Sequence, residues 1–109
     1  MLEAIVGSAT AERVLLYLQA YDEAYGREIA AALGLAQSQV QKQLRKLESG
    51  NVLVSRLAGR ARLYTWNPRN PLVPALRSLF QSAFEALPKG DQQKYFRARR
   101  RPRRSGKAL

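Results

Sequence analysis

Apolar positions recur along this chain at helical spacing in four stretches and at strand spacing in a fifth, and those periods divide it into elements. Ala11, Val14, Leu15 and Leu18 fall at steps of three and four, so they share one face of a helix running to about Gln19. Ser8 or Thr10 caps it, because a hydroxyl accepts a bond from an orphan amide of the first turn. Tyr17 and Tyr21 lie four apart and stand either to cover the core or to meet a partner. Ahead of them, Leu2 to Val6 fits a strand or a helical turn. Ile29 and Leu33 mark one face of a second, shorter helix. Gly34 ends it, since entry into the left-handed region costs least without a Cβ. Val40, Leu44 and Leu47 form the apolar side of a third helix over about 37–48.

The other side of that third helix carries chemistry. At about 100° per residue, Ser38, Gln41, Lys42 and Arg45 fall opposite the apolar stripe, with Gln37 at the start. This face holds no acid and no large apolar residue. Amides and Arg bond base edges in pairs and Lys meets phosphates, so the face suits a DNA major groove. An ordinary solvated helix face is the plain alternative; the short-helix, turn, long-helix spacing and the cationic hairpin after it favour the groove.

After Ser49-Gly50-Asn51, Val52 to Leu57 is rich in β formers, Ala58-Gly59-Arg60-Ala61 is a turn, and Arg62-Leu63-Tyr64-Thr65-Trp66 alternates. Leu63 and Thr65 share one face of this strand; Arg62, Tyr64 and Trp66 share the other. Two strands joined at a Gly-containing turn make a β-hairpin, with Arg60 at the tip and Arg56 and Arg62 on its flanks. Such cations meet phosphates or a minor groove, or else merely blunt an exposed edge. The segment Tyr21 to Tyr25 reads as a polar connection, and its adjacent acids Asp22 and Glu23 as solvated, since nothing nearby completes a metal or acid–base site.

Asn67-Pro68-Arg69-Asn70-Pro71 breaks the second strand, and a further helix spans about 71–87. Its stripe of Leu72, Leu76, Leu79, Phe80, Ala83, Phe84 and Leu87 is wide and aromatic. A small domain already complete has little core left to cover, so Leu72, Leu76, Leu79, Phe80 and Phe84 are expected to meet a second copy in a homodimer; the alternative is that the stripe packs back on its own domain. Pro88 to Asp91 is expected to close the folded part, with Tyr95 and Phe96 extending a helix to about Arg101.

Charge sharpens this picture. The chain has 109 residues and 19 Lys plus Arg against 8 Asp plus Glu, a formal charge of +11, which predicts a polyanionic partner. Residues 88–109 hold nine of the cations and one acid, Asp91, leaving +3 on the body. They read as a basic tail, partly disordered, that acts as a sequence-blind electrostatic arm. Arg99-Arg100-Arg101-Pro102 is similar to the Arg-Gly-Arg-Pro core of AT-hooks, except that Arg100 replaces the glycine that lets that core sink into a narrow groove. With no Cys and no His, thiolate chemistry and the commonest general base and zinc ligand are missing, and no catalytic site, metal site or cofactor is expected. No signal peptide and no apolar run near the roughly 20 residues of a membrane span are seen, so a cytoplasmic protein without membrane contact is expected.

The order helix, helix-turn-helix, β-hairpin, helix resembles, over roughly residues 8–87, a winged helix-turn-helix domain, mainly α with a small β wing (α+β); the domain is expected to span residues 1–87. Arg27-Glu28-Ile29-Ala30, Leu33-Gly34-Leu35, Gln37 to Leu44 with Leu47, and the wing Gly59-Arg60-Ala61-Arg62-Leu63-Tyr64 resemble ArsR-type regulators and their MarR-like relatives. Asn67 to Leu72 is similar to a subgroup whose wing ends in an Asn-Pro turn, some members of which resemble regulatory domains attached to nucleotidyltransferases. The resemblance implies a dimer on double-stranded DNA at a near-palindromic operator. It implies Gln37, Ser38, Gln41 and Lys42 at the major groove, Arg60 and Arg62 in the wing, and the helix after Pro71 at the dimer interface. Many ArsR-type proteins sense metals through Cys or His, which this chain lacks. Ala36 stands where relatives often carry a capping serine, a loss of roughly 1 kcal/mol of helix stability. The expected function is a homodimeric, sequence-specific regulator of transcription, most plausibly a repressor; the sequence gives no effector. The alternatives are an RNA-binding or general nucleoid protein led by the tail, and a winged protein–protein adaptor.

Overall fold

The computed structural model describes residues 2–97. The order is α1 (Glu3–Val6), α2 (Ala9–Tyr21), β1 (Glu23–Tyr25), α3 (Gly26–Leu33), α4 (Gln37–Ser49), β2 (Leu53–Ala58), β3 (Ala61–Trp66), α5 (Val73–Ala86) and α6 (Lys89–Arg97). Helices surround one small antiparallel sheet of order β1-β3-β2. This is the winged helix-turn-helix arrangement expected from the sequence.

Helix α2 is the central post. The Ser8 hydroxyl accepts the Ala11 amide at 3.0 Å, which caps its first turn. Val14, Leu15 and Leu18 are fully buried, and Tyr17 and Tyr21 are buried too, their rings 4.6 Å apart. The two tyrosines therefore belong to the core. Leu2 to Val6 resolves as a helical turn; the Leu2 amide donates to the buried Glu12 carboxylate at 2.9 Å.

The sheet fixes which way the hairpin faces. Paired residues share a face. Leu53 pairs with Trp66, and Tyr64 with both Ser55 and Ala24, so this set lines the core side. Trp66 packs 6.3 Å from Phe80, and its indole N–H donates to the Leu18 carbonyl at 3.2 Å. Asn67 and Asn70 both donate side-chain N–H groups to the Asn51 carbonyl, at 3.0 and 2.9 Å, which fastens the end of β3 to the end of α4.

Three expectations need correction. The polar connection after α2 contains strand β1: Glu23, Ala24 and Tyr25 pair with Thr65, Tyr64 and Leu63. Asp22 and Glu23 are held by arginines, Asp22 by Arg77 and Glu23 by Arg56 at 3.8 Å. Next, Phe80 and Phe84 are not free for a partner: they are 0% and 6% exposed, packed into their own core beside Ala83 and Val73. The inward side of α5 supplies core that α2 and the sheet leave open. What remains outside is Leu72 at 73% and Leu79 at 38% exposure, with Leu76 half-buried. Finally, the fold does not close at Pro88. The Pro88 carbonyl accepts the amides of Asp91 and Gln92, opening α6, and the Gln92 side chain donates to the Leu87 carbonyl at 2.8 Å. The AT-hook-like run and the expected disorder of the tail fall beyond Arg97, outside the described residues.

Candidate nucleic-acid interface

The pair α3–α4 is built around its turn. The Tyr25 amide at the start of α3 donates to the Glu28 carboxylate at 2.9 Å, half of a capping box. Gly34 ends α3 with φ 66° and ψ 35°, in the left-handed region, and its amide returns to the Ala30 carbonyl. Leu35 donates to the same carbonyl at 3.0 Å. Ile29 and Leu33 of α3 and Val40 and Leu44 of α4 are buried against α2 and the sheet. A Cβ on Gly26 would lie 2.9 Å from Gln41 Oε1 and 3.1 Å from Leu44 Cδ1, so the start of α3 runs close against α4. Ala36 occupies the cap of α4 and offers no side-chain bond.

With its apolar stripe held, α4 turns Gln37, Ser38, Lys42 and Arg45 to the exterior, all exposed. Its only acid, Glu48, sits half-buried near the far end and accepts the Ser55 hydroxyl at 2.7 Å. Gln41 behaves differently from the rest of the expected set. It is half-buried, and its Nε2 donates to the Tyr64 hydroxyl at 3.0 Å. One amide assigned to the outer face thus reaches sideways to the wing. The expectation that Gln41 lies opposite the apolar stripe needs correction: it sits at the edge of that face, and β3 draws it toward the wing.

The three wing arginines separate by strand register. Arg60 is exposed in the turn between β2 and β3. Arg62 pairs with Leu57, two residues from Tyr64, and so lies on the α4 side of the sheet. Its Nη1 donates to Ser55 Oγ at 3.2 Å, completing a chain Arg62–Ser55–Glu48 from wing to helix. Arg56 pairs with Leu63 and lies on the opposite face, where it meets Glu23.

Two contributors escaped the sequence reading. Tyr64, buried in the sheet, is the strut that holds Gln41. Arg27, one residue into α3, is exposed, with its guanidinium 5.4 Å from the centre of the Tyr25 ring. Its position off the Ile29–Leu33 face and beside Gly26 was the available signal. Chemically, this surface offers hydrogen-bond donors, amides and cations arranged along one side of a helix and the adjoining sheet. Among the described residues, no group of three His, Cys, Asp or Glu could hold a metal, and no helix is long and apolar enough to cross a membrane.

Neither a protein-family model nor a curated protein matches the chain. Solved structures do. The AntR antimony-specific transcriptional repressor superposes with a TM-score of 0.61 at 23% identity, covering 84% of this chain and 78% of that one. MepR, a transcription regulator of the Staphylococcus aureus multidrug efflux pump MepA, gives 0.58 at 23% identity, over 88% and 77%. A MarR-family transcriptional regulator from Rhodococcus sp. RHA1 gives 0.56 at 19%, over 87% and 74%. The likeness establishes the winged-helix fold.

Proposed function

We propose that the protein is a DNA-binding transcription regulator that acts as a homodimer and represses. The observation that carries this is the outward face of α4: Gln37, Ser38, Lys42 and Arg45 exposed in one row, free of acid, beside an arginine-bearing wing. In the bound state α4 lies along the major groove, with Gln37 and Ser38 toward base edges and Lys42 and Arg45 toward edges or phosphates. Arg60 reaches the backbone or the minor groove from the wing tip. That repressors and regulators of transcription share the fold supports the reading.

Dimerisation rests on α5. Leu72, Leu76 and Leu79, with Val52 and Ala75, border an open apolar groove of about 440 Å³. A second copy packed there by two-fold symmetry would bring two α4 helices to successive major grooves, about 34 Å apart. The tail adds sequence-independent attraction.

Selection of bound fragments from random and genomic duplexes, followed by band shifts, tests this. A shared two-fold motif bound far more tightly than random duplex supports it. Equal affinity for all duplexes, or preference for RNA, would instead select a nucleoid or RNA-binding role. Absence of binding in low salt would leave only the adaptor.

A further inference from the structure

Between α4 and the wing lies a groove of about 230 Å³, to whose lining the exposed row of α4 contributes only Gln37. Tyr25 and Arg27 from the start of α3, Gln37 and Gln41 from α4, and Arg62 and Tyr64 from β3 line it. No acidic side chain lines it. Among the described residues, neither guanidinium has an ion pair: Arg27 lies over the Tyr25 ring and Arg62 gives one N–H to Ser55. The other arginines near the core are already engaged, Arg56 with Glu23, Arg77 with Asp22 and Arg13 with the Leu33 carbonyl.

Two cations that border one concavity repel each other, and an anion seated between them gains from both. Each guanidinium is a planar fork of five donors, of which Arg62 uses one. That geometry matches the oxygens of a phosphodiester. The Tyr64 hydroxyl accepts from Gln41 and keeps its own proton to give. Bases carry no net charge, so a concave, doubly cationic, acid-free site fits backbone rather than base edges.

We infer that Arg27 and Arg62 clamp a single backbone phosphate of the duplex in the groove between α4 and the wing. This rests on the DNA-binding reading above. The clamp sets the depth and register of α4 and carries no sequence information of its own.

The test measures affinity of the full chain for a short random-sequence duplex across a salt titration. Proteins compared are the wild type, Arg27→Ala, Arg62→Ala, the double variant and Arg27→Lys. Both positions are exposed, and thermal melting of each variant checks that the fold persists. Each alanine variant is expected to weaken binding about tenfold, the scale of one charge-assisted hydrogen bond. Because both residues grip one phosphate, the double variant should fall well short of a hundredfold loss. Its slope of log affinity against log salt should drop by about 0.9 per bound protomer, the value for one phosphate. Arg27→Lys should keep the wild-type slope but recover only part of the affinity, since it keeps the charge and loses the fork. Multiplicative losses with a slope change near 1.8 would mean two separate phosphates and overturn the clamp, as would no loss. If the wild type binds duplex and only the coupling is missing, the clamp alone falls; if the wild type binds no duplex, the regulator reading falls with it.

Discussion

Helices α4 and α5 have nearly the same length, 13 and 14 residues, and each carries an apolar stripe at helical spacing, yet they place those stripes differently. In α4 the stripe is narrow. Val40 and Leu44 are buried, Leu47 is half-buried against the same core, and everything else is polar. A stripe about 100° wide leaves one orientation for the helix, so its exterior follows from its interior. In α5 the stripe is wider than one neighbour can cover. Phe80, Ala83 and Phe84 turn inward, while Leu72 and Leu79 stay outside. A narrow stripe thus declares the functional face of a helix; a wide one is divided by packing partners that periodicity does not reveal.

The division of α5 gives the largest expected effect. Phe80 is fully buried against Trp66, so Phe80→Ala should lower folding stability by about 3–5 kcal/mol, read by chemical denaturation. Leu79→Ala should change protomer stability by no more than about 0.5 kcal/mol while weakening self-association in sedimentation. Equal stability losses at the two positions would erase the distinction between the inward and outward halves.

For α4 the expected loss is in binding. Lys42→Ala with Arg45→Ala should leave melting within about 0.5 kcal/mol of wild type, since both are exposed. The pair should reduce affinity for random duplex, and each residue that meets a phosphate should lower the salt slope by about 0.9. An unchanged slope would show that the exposed row faces solvent in the complex as well.

The same contrast explains what the sequence made legible. The Ser8 cap, the turn at Gly34, the span of α4 and the strand β3 rest on local rules, and all of them are found in the fold. Strand β1 does not follow from local rules. Three residues are too few for a period, and Glu23-Ala24-Tyr25 is extended because β3 offers it an edge. Helix α6 is expected from the sequence only around Tyr95 and Phe96; its start, Pro88 followed by Asp91 in the first turn, obeys the same local rules but also reads as a closing turn. At the site, the row of exposed side chains was legible, whereas Arg27 was not, because its importance comes from Arg62 lying across a groove formed by two distant segments.

A smaller effect is expected at the start of α4. Ala36 has the extended backbone of a cap, φ −65° and ψ 136°, but no side-chain acceptor. Ala36→Ser should supply one and stabilise the fold by about 0.5–2 kcal/mol, a rise of several degrees in the melting midpoint. No gain would show that the first amides of α4 are already satisfied.

The smallest effect concerns Gln41, the half-buried residue of α4 that reaches the wing. If Gln41 is a strut to the wing, its bond to Tyr64 has the net worth of an ordinary hydrogen bond, about 0.5–1.5 kcal/mol. Tyr64→Phe keeps the buried ring and removes only the hydroxyl. It should therefore cost the same as Gln41→Ala, and the double variant should cost no more than either, because both remove one shared bond. Base readout predicts something else: Gln41→Ala would reduce the preference for a selected site over random duplex, and Tyr64→Phe would leave that preference alone. Matched, non-additive losses in both stability and site preference place Gln41 with the inward face of α4. Additive losses, or a change of preference confined to Gln41→Ala, return it to the outer row and narrow the contrast between the two helices.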